Sequence, residues 1–166
     1  MTSRVLNNQT YSEIIVGQTA TLVKQLTQND ITLFGYMSGD VNPAHFNHEY
    51  AKNTIFKGVI AHGMWGGSLI STVLGTKLPG PGTIYLAQSL KFSRPIYIGD
   101  EITVTVTVIE KKEKNRLVLE CKCVNQKNET VTSGIAEVIA PSEKITITAP
   151  ILSFPTFVQE STSITN

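Results

Sequence analysis

The chain has 166 residues, 14 Lys/Arg against 13 Asp/Glu for a net charge of +1, 41% hydrophobic and 16% charged residues. That is one domain with room for one core, too apolar for a disordered chain and too neutral for a nucleic-acid binder. No apolar run reaches the roughly 18–20 residues of a membrane span. The stretch Met1 to Thr10 lacks the apolar heart of a secretion signal, so a cytoplasmic protein is expected, with neither nucleic acid nor membrane as partner.

An early strand is read between Ile14 and Leu26, around Ala20-Thr21-Leu22-Val23. Thr27 then opens a helix, with Asp30 three residues on as an acidic variant of the capping box. Ile31, Phe34 and Met37 follow helical spacing, and Gly39 ends it. Residues 40–59 read as irregular, broken by Asn42-Pro43 and Gly58, with a short helical turn from Glu49 to Asn53.

The run Val59 to Gly75 is apolar or small nearly all round, which predicts a buried helix. Each glycine in it costs roughly 1 kcal/mol of helix propensity against alanine, so close approach to its backbone is expected. After the break at Leu78-Pro79-Gly80-Pro81-Gly82 the pattern turns to period two, in four strands: Ile84 to Phe92, Glu101 to Lys111, Arg116 to Asn125 and Thr130 to Ile139. Short connections favour antiparallel neighbours. The expected fold class is therefore α+β, an antiparallel sheet curled around one buried helix over residues 10–140. Residues 141–166 hold nine Ser/Thr and three Pro and read as a tail or linker, of which Ile145-Thr146-Ile147 can dock on the body.

Cys121 and Cys123 fall two apart on a strand pattern. They share a face without being able to bridge, and no further Cys or His stands at zinc-ligand spacing. They read as buried filler, and no metal is expected.

The segment that points to chemistry is Tyr36-Met37-Ser38-Gly39-Asp40-Val41-Asn42-Pro43-Ala44-His45. An acid and an imidazole lie five apart on a chain made to turn, so Asp40 and His45 can face one spot and grip one water. On these residues alone, a capped loop with a solvated histidine fits as well. His62 reads as fixing the start of the central helix, His48 as exposed, Trp65 as core, and Lys111 to Lys114 as a solvated hairpin.

Ser38-Gly39-Asp40-x-Asn42-Pro43-x-His45, with Ala51 beyond it, resembles the hydratase-2 motif of the MaoC-like, (R)-specific enoyl-CoA hydratases. Four further stretches resemble the same family in the same order: Val59 to Met64, Leu78-Pro79-Gly80-x-Gly82-x-Ile84-Tyr85, Ser89-Leu90-x-Phe92, and Pro95-Ile96-x-x-Gly99-Asp100. The resemblance spans about residues 19–140 and implies a hot-dog fold and a homodimer or higher homo-oligomer with sheets joined edge to edge. It implies reversible syn hydration of a trans-2-enoyl-CoA, with Asp40 and His45 activating the water and the Gly63 backbone N–H meeting the thioester oxygen. Asn42 is expected to secure the loop or contact the pair, and Ser71 to contact substrate or merely pack. No cofactor is implied, since the substrate itself carries coenzyme A. Ala44 and Met37 depart from the family pattern, where branched aliphatics are usual, which bears on acyl-chain room. Alternatives are a hot-dog thioesterase, or a non-catalytic acyl-CoA-binding domain at the front of a phosphate acyltransferase-type protein.

Overall fold

A computed structural model describes residues 4–153. In chain order it contains β1 (Val5–Asn7), β2 (Thr19–Gln25), α1 (Gln28–Ser38), α2 (Pro43–Phe46), α3 (His48–Lys52) and α4 (Gly63–Thr76). Then follow β3 (Ile84–Phe92), β4 (Glu101–Lys112), β5 (Arg116–Val124), β6 (Thr130–Ile139) and β7 (Thr146–Thr148). Five strands make one antiparallel sheet in the order β2-β4-β5-β6-β3. The hairpins β4–β5 and β5–β6 come from short turns, whereas β2 and β3 end up on the two edges.

The sheet presents one apolar face. Ile102, Val104, Val106 and Val108 of β4, and Leu117, Leu119, Cys121 and Cys123 of β5, are buried at every second position, as a strand's alternation demands. They form one core with Trp65, Leu69, Ile70, Val73 and Leu74 of α4. This is a hot-dog fold, the sheet wrapped around α4. Burial pushes the two thiols up, Cys121 to about 11 and Cys123 to about 12, so both stay inert filler at neutral pH.

The helix is buried on one side only. Met64, Ser68, Ser71 and Thr72 face outward and are exposed in the single chain, against the expectation of burial all round. The close approach holds for three of its four glycines. A Cβ would meet the Phe92 ring at 3.3 Å from Gly63, Thr132 Oγ1 at 3.2 Å from Gly66 and Leu90 Cδ1 at 3.0 Å from Gly67, but nothing within 4 Å from Gly75. In the sheet, a Cβ at Gly134 would stand 1.8 Å from the Ser89 carbonyl oxygen, so only glycine lets β3 lie against β6 there.

Four elements depart from expectation. Helix α2 falls where only irregular chain is read, because Pro43 takes the first helical position, where its missing N–H costs nothing. The early strand is shorter than Ile14 to Leu26, since residues 11–17 are largely turns. Strands β1 and β7 pair with each other as a small second sheet. This ties down the first part of the 141–166 segment, with Asn8 Nδ2 donating to the Glu143 carbonyl and Lys144 paired with Glu13 at 2.9 Å. Residues 154–166 of that segment lie outside the described residues. Lys111 is also no solvated charge: its ammonium sits 4.2 Å above the Tyr11 ring and donates to the Tyr11 and Ile14 carbonyls.

Candidate active site

The segment between α1 and α2 is built by a relay of short hydrogen bonds. Helix α1 starts on the Thr27–Asp30 capping box and ends on Gly39 with φ of 74°, the left-handed conformation that glycine adopts freely. Ser38 Oγ donates to the Phe34 carbonyl and accepts the Asp40 N–H at 3.2 Å. Asp40 Oδ1 accepts the Asn42 N–H at 3.1 Å, and Asn42 Oδ1 accepts the Ala44 N–H at 3.1 Å. Asn42 thereby caps α2 and secures the loop, the first of its two expected roles. The relay sets the Asp40 carboxylate at the surface while α2 turns His45 inward, where it is only 8% exposed.

His45 has one fixed orientation. Its Nδ1 lies 2.8 Å from the Ile60 carbonyl oxygen. A carbonyl only accepts, so in the neutral ring Nδ1 carries the proton and Nε2 is left with its lone pair. Ile60 is itself anchored, by its N–H to the Ala44 carbonyl and by a bridge to Tyr97.

His62 completes the cluster, and the sequence places it differently. It precedes α4 but makes no side-chain capping bond to the helix. Instead its Nε2 donates to the Asp40 carbonyl oxygen at 2.9 Å. Its ring lies 3.9 Å from the His45 ring and 4.8 Å from the Phe34 ring, stacked on each with about the same tilt. Burial lowers its pKa below the ordinary histidine value; the Asp40 carbonyl opposes this and the charge of His45 adds to it. Its Nδ1 is buried and meets no donor among the described residues, a state that costs about 1–3 kcal/mol. The one signal for this role in the sequence is a polar residue at the mouth of an apolar helix.

Asp40, His45 and His62 offer ligand atoms within 4.8 Å of one another, the pattern of a metal centre. The ring geometry is poor for one. An ion bonds a ring nitrogen in the ring plane, and two rings stacked at 3.9 Å with a 31° tilt have planes that meet well beyond a bond of about 2.1 Å.

Gly63 follows His62 directly and opens α4, whose first amides have no carbonyl a turn earlier to bond. Ser71 lies two turns further along the same face. There an apolar groove of about 580 Å³ runs between α4 and β3, walled by Phe34 and Met37 of α1, Met64, Gly67 and Ser71 of α4, and Leu86 and Leu90 of β3. Asp40 and His45 do not line it; the link is Phe34, which lines the groove and stacks on His62. Ser71 is thus placed on the groove wall, apart from the Asp40–His45 pair. Of the two departures from the family pattern, Met37 lines the groove and Ala44 is a buried residue of α2.

A hot-dog sheet around one helix, with an acid on a loop and an oriented imidazole on the short helix after it, is the arrangement of a dehydratase-type domain. The model of the MaoC like domain matches residues 13–132. The chain is 46% identical over 132 residues to an (R)-specific enoyl-CoA hydratase of Rhodospirillum rubrum, covering 80% of this chain and 92% of that protein. It is 40% identical over 135 residues to a 3-hydroxybutyryl-CoA dehydratase of Methylorubrum extorquens, covering 81% and 85%. Among solved structures, the unliganded R-hydratase PhaJ1 of Pseudomonas aeruginosa superposes with a TM-score of 0.89 at 42% identity, over 93% of this chain and all of that one. The chain belongs to the MaoC-like family.

Proposed function

We propose that the chain is an (R)-specific 2-enoyl-CoA hydratase, adding water reversibly and syn to a trans-2-enoyl-CoA to give an (R)-3-hydroxyacyl-CoA. The observation that carries this is the pairing of Asp40 with an imidazole locked in a single tautomer, its ligand atoms within 4.8 Å of the carboxylate. One water can be held by both. His45 Nε2, with its lone pair, accepts a hydrogen bond from the water and orients it. Asp40 takes the water's other proton as the oxygen attacks the β-carbon. The protonated carboxyl then gives that proton to the α-carbon on the same face, with His45 holding the geometry of the transfer. Negative charge then grows on the thioester oxygen, where the Gly63 N–H at the positive end of α4 offers stabilisation. The acyl chain takes the apolar groove, with Ser71 and Met37 on its wall. Asn42 holds the loop through its Oδ1, which accepts the Ala44 N–H, and its amide N–H groups are the part of the side chain that a substrate contact would use. No cofactor takes part.

Relatives named as hydratases and dehydratases support this reading over hydrolysis. A homodimer fits it. The edge strand β3 leaves Ile84, Tyr85, Leu86 and Phe92 exposed beside the bare face of α4, and a second copy would cover them. No helix among the described residues is long and apolar enough to cross a membrane, and two reduced cysteines suit the cytoplasm.

The test is crotonyl-CoA. Loss of the enoyl absorbance without release of free thiol, and an (R) product, are expected; thiol release or an (S) product would overturn the reading. Sedimentation of the purified chain as a monomer would remove the dimer.

A further inference from the structure

Two contacts of His62 reach the two residues that the proposed hydration uses, one of them through its backbone. Nε2 donates to the backbone carbonyl of Asp40 at 2.9 Å, and the ring face packs at 3.9 Å on His45. Phe34 packs against the same ring at 4.8 Å. His62 is 2% exposed, so it has no room to leave these contacts. Asp40 and His45 belong to different elements, a loop and α2, and His62 on the lip of α4 is a single side chain that touches both.

We propose that His62 is a positioning residue of this site, setting the spacing of Asp40 and His45 through its Nε2–H and its ring face. The inference rests on the hydratase reading. It explains a buried imidazole where apolar side chains would pack without an orphaned nitrogen. Nδ1 contributes no bond, so what the ring supplies is the Nε2 donor and the two ring contacts. Burial favours the neutral ring, which keeps a positive charge away from the imidazole stacked on it.

The two contacts can be removed one at a time. His62→Gln keeps an N–H donor near the Nε2 position and loses the stack. His62→Phe keeps the stack and loses the donor, and His62→Ala loses both. With crotonyl-CoA, His62→Ala is expected to lower kcat about 100-fold, the scale of an ångström-sized misplacement of reacting groups. KM should change by less than about threefold. The Gln and Phe variants should each recover about tenfold over Ala. Thermal denaturation of each variant separates loss of site from loss of fold; if Ala does not fold, the Gln and Phe variants carry the comparison. Wild-type kcat in the variants, a rise in KM alone, or Gln and Phe variants no better than Ala would overturn the inference while the hydratase reading stands. A wild-type chain that hydrates nothing would remove that reading and this inference with it.

Discussion

The two faces of α4 use the same few residue types for opposite ends. On the sheet side Trp65, Leu69, Ile70 and Val73 are buried in the core, and Gly66 is small because Thr132 comes within 3.2 Å of where its Cβ would be. On the groove side Gly63, Gly67 and Ser71 recur every four residues, one above another; Gly67 and Ser71 line the groove, and the two glycines let Phe92 and Leu90 come close to the helix backbone. The first face contributes stability through buried area. The second gives up propensity and burial, and what it gains is a groove between α4 and β3 that ends at Phe34, whose ring packs on His62. A helix that is apolar all round therefore need not be buried all round.

This division can be broken most sharply where the chemistry lies. Asp40→Asn or His45→Ala should reduce kcat/KM with crotonyl-CoA by about 10²–10⁴-fold, the range for losing a general acid or base. Thermal stability should hold in Asp40→Asn, since that carboxylate is at the surface, whereas His45→Ala leaves the Ile60 carbonyl without its partner and should cost some stability. Near-normal turnover in either purified variant would sink the mechanism. Ile70→Ala, on the sheet face, should do the reverse. It removes a side chain that is 0% exposed, which costs about 2–5 kcal/mol, while turnover per folded molecule stays close to wild type. Denaturant unfolding beside an activity assay reads both. Gly63→Val tests the groove face. Its side chain would press on the Phe92 ring and crowd the approach to the Gly63 N–H, so turnover should fall about 10–100-fold. Unchanged turnover would reject a role for that amide.

Much of this was legible in the sequence because it is local. The Thr27–Asp30 capping box, the Gly39 stop and the four long strands depend on residues a few positions apart, and all of them stand in the structure. The spacing from Asp40 to His45 is local too. Its reading as chemistry leaned on the family resemblance, since the same residues also suit a capped loop. The rest depends on contacts between distant parts of the chain. Nothing near His62 announces that its partner is the Asp40 carbonyl, 22 residues away. Strands β1 and β7 are three residues each, too short to show a period, and they find each other across 140 positions. Helix α2 is hidden by Pro43, which reads as a break in the sequence and is a start in the structure.

Gly75 sharpens the comparison in the other direction. It lies on α4 with nothing within 4 Å of a Cβ, unlike the three glycines before it, and nothing in the structure explains it. Gly75→Ala should therefore stabilise the chain by about 0.5–1 kcal/mol through helix propensity and a less flexible unfolded state, with activity unchanged. Destabilisation would mean that a second copy or the substrate reaches this position.

The smallest effect is expected away from α4 altogether, where the two ends of the described chain are tied together. Glu13 bonds the Lys144 ammonium and the Thr10 N–H, and these, the lysine first, hold its pKa at about 2 against an ordinary 4.5. A carboxyl whose pKa is lowered on folding adds stability above its unfolded value and loses it as the pH falls through the folded one. The contribution should thus be present at pH 5 and above, shrink below about 4.5, and be gone near 2. Glu13 is on the surface, so solvent and salt screen the pair and the gain is small. Wild type and Glu13→Gln should differ slightly in Tm at pH 6 and low salt, and the difference should close both on acidification towards pH 2 and on raising salt at pH 6. Crotonyl-CoA hydration should be the same in both, because Glu13 touches neither face of α4. A gap in Tm that survives high salt would instead assign the effect to the neutral hydrogen bonds at Thr10, and a drop in turnover would show that the clasp between the chain ends reaches the groove.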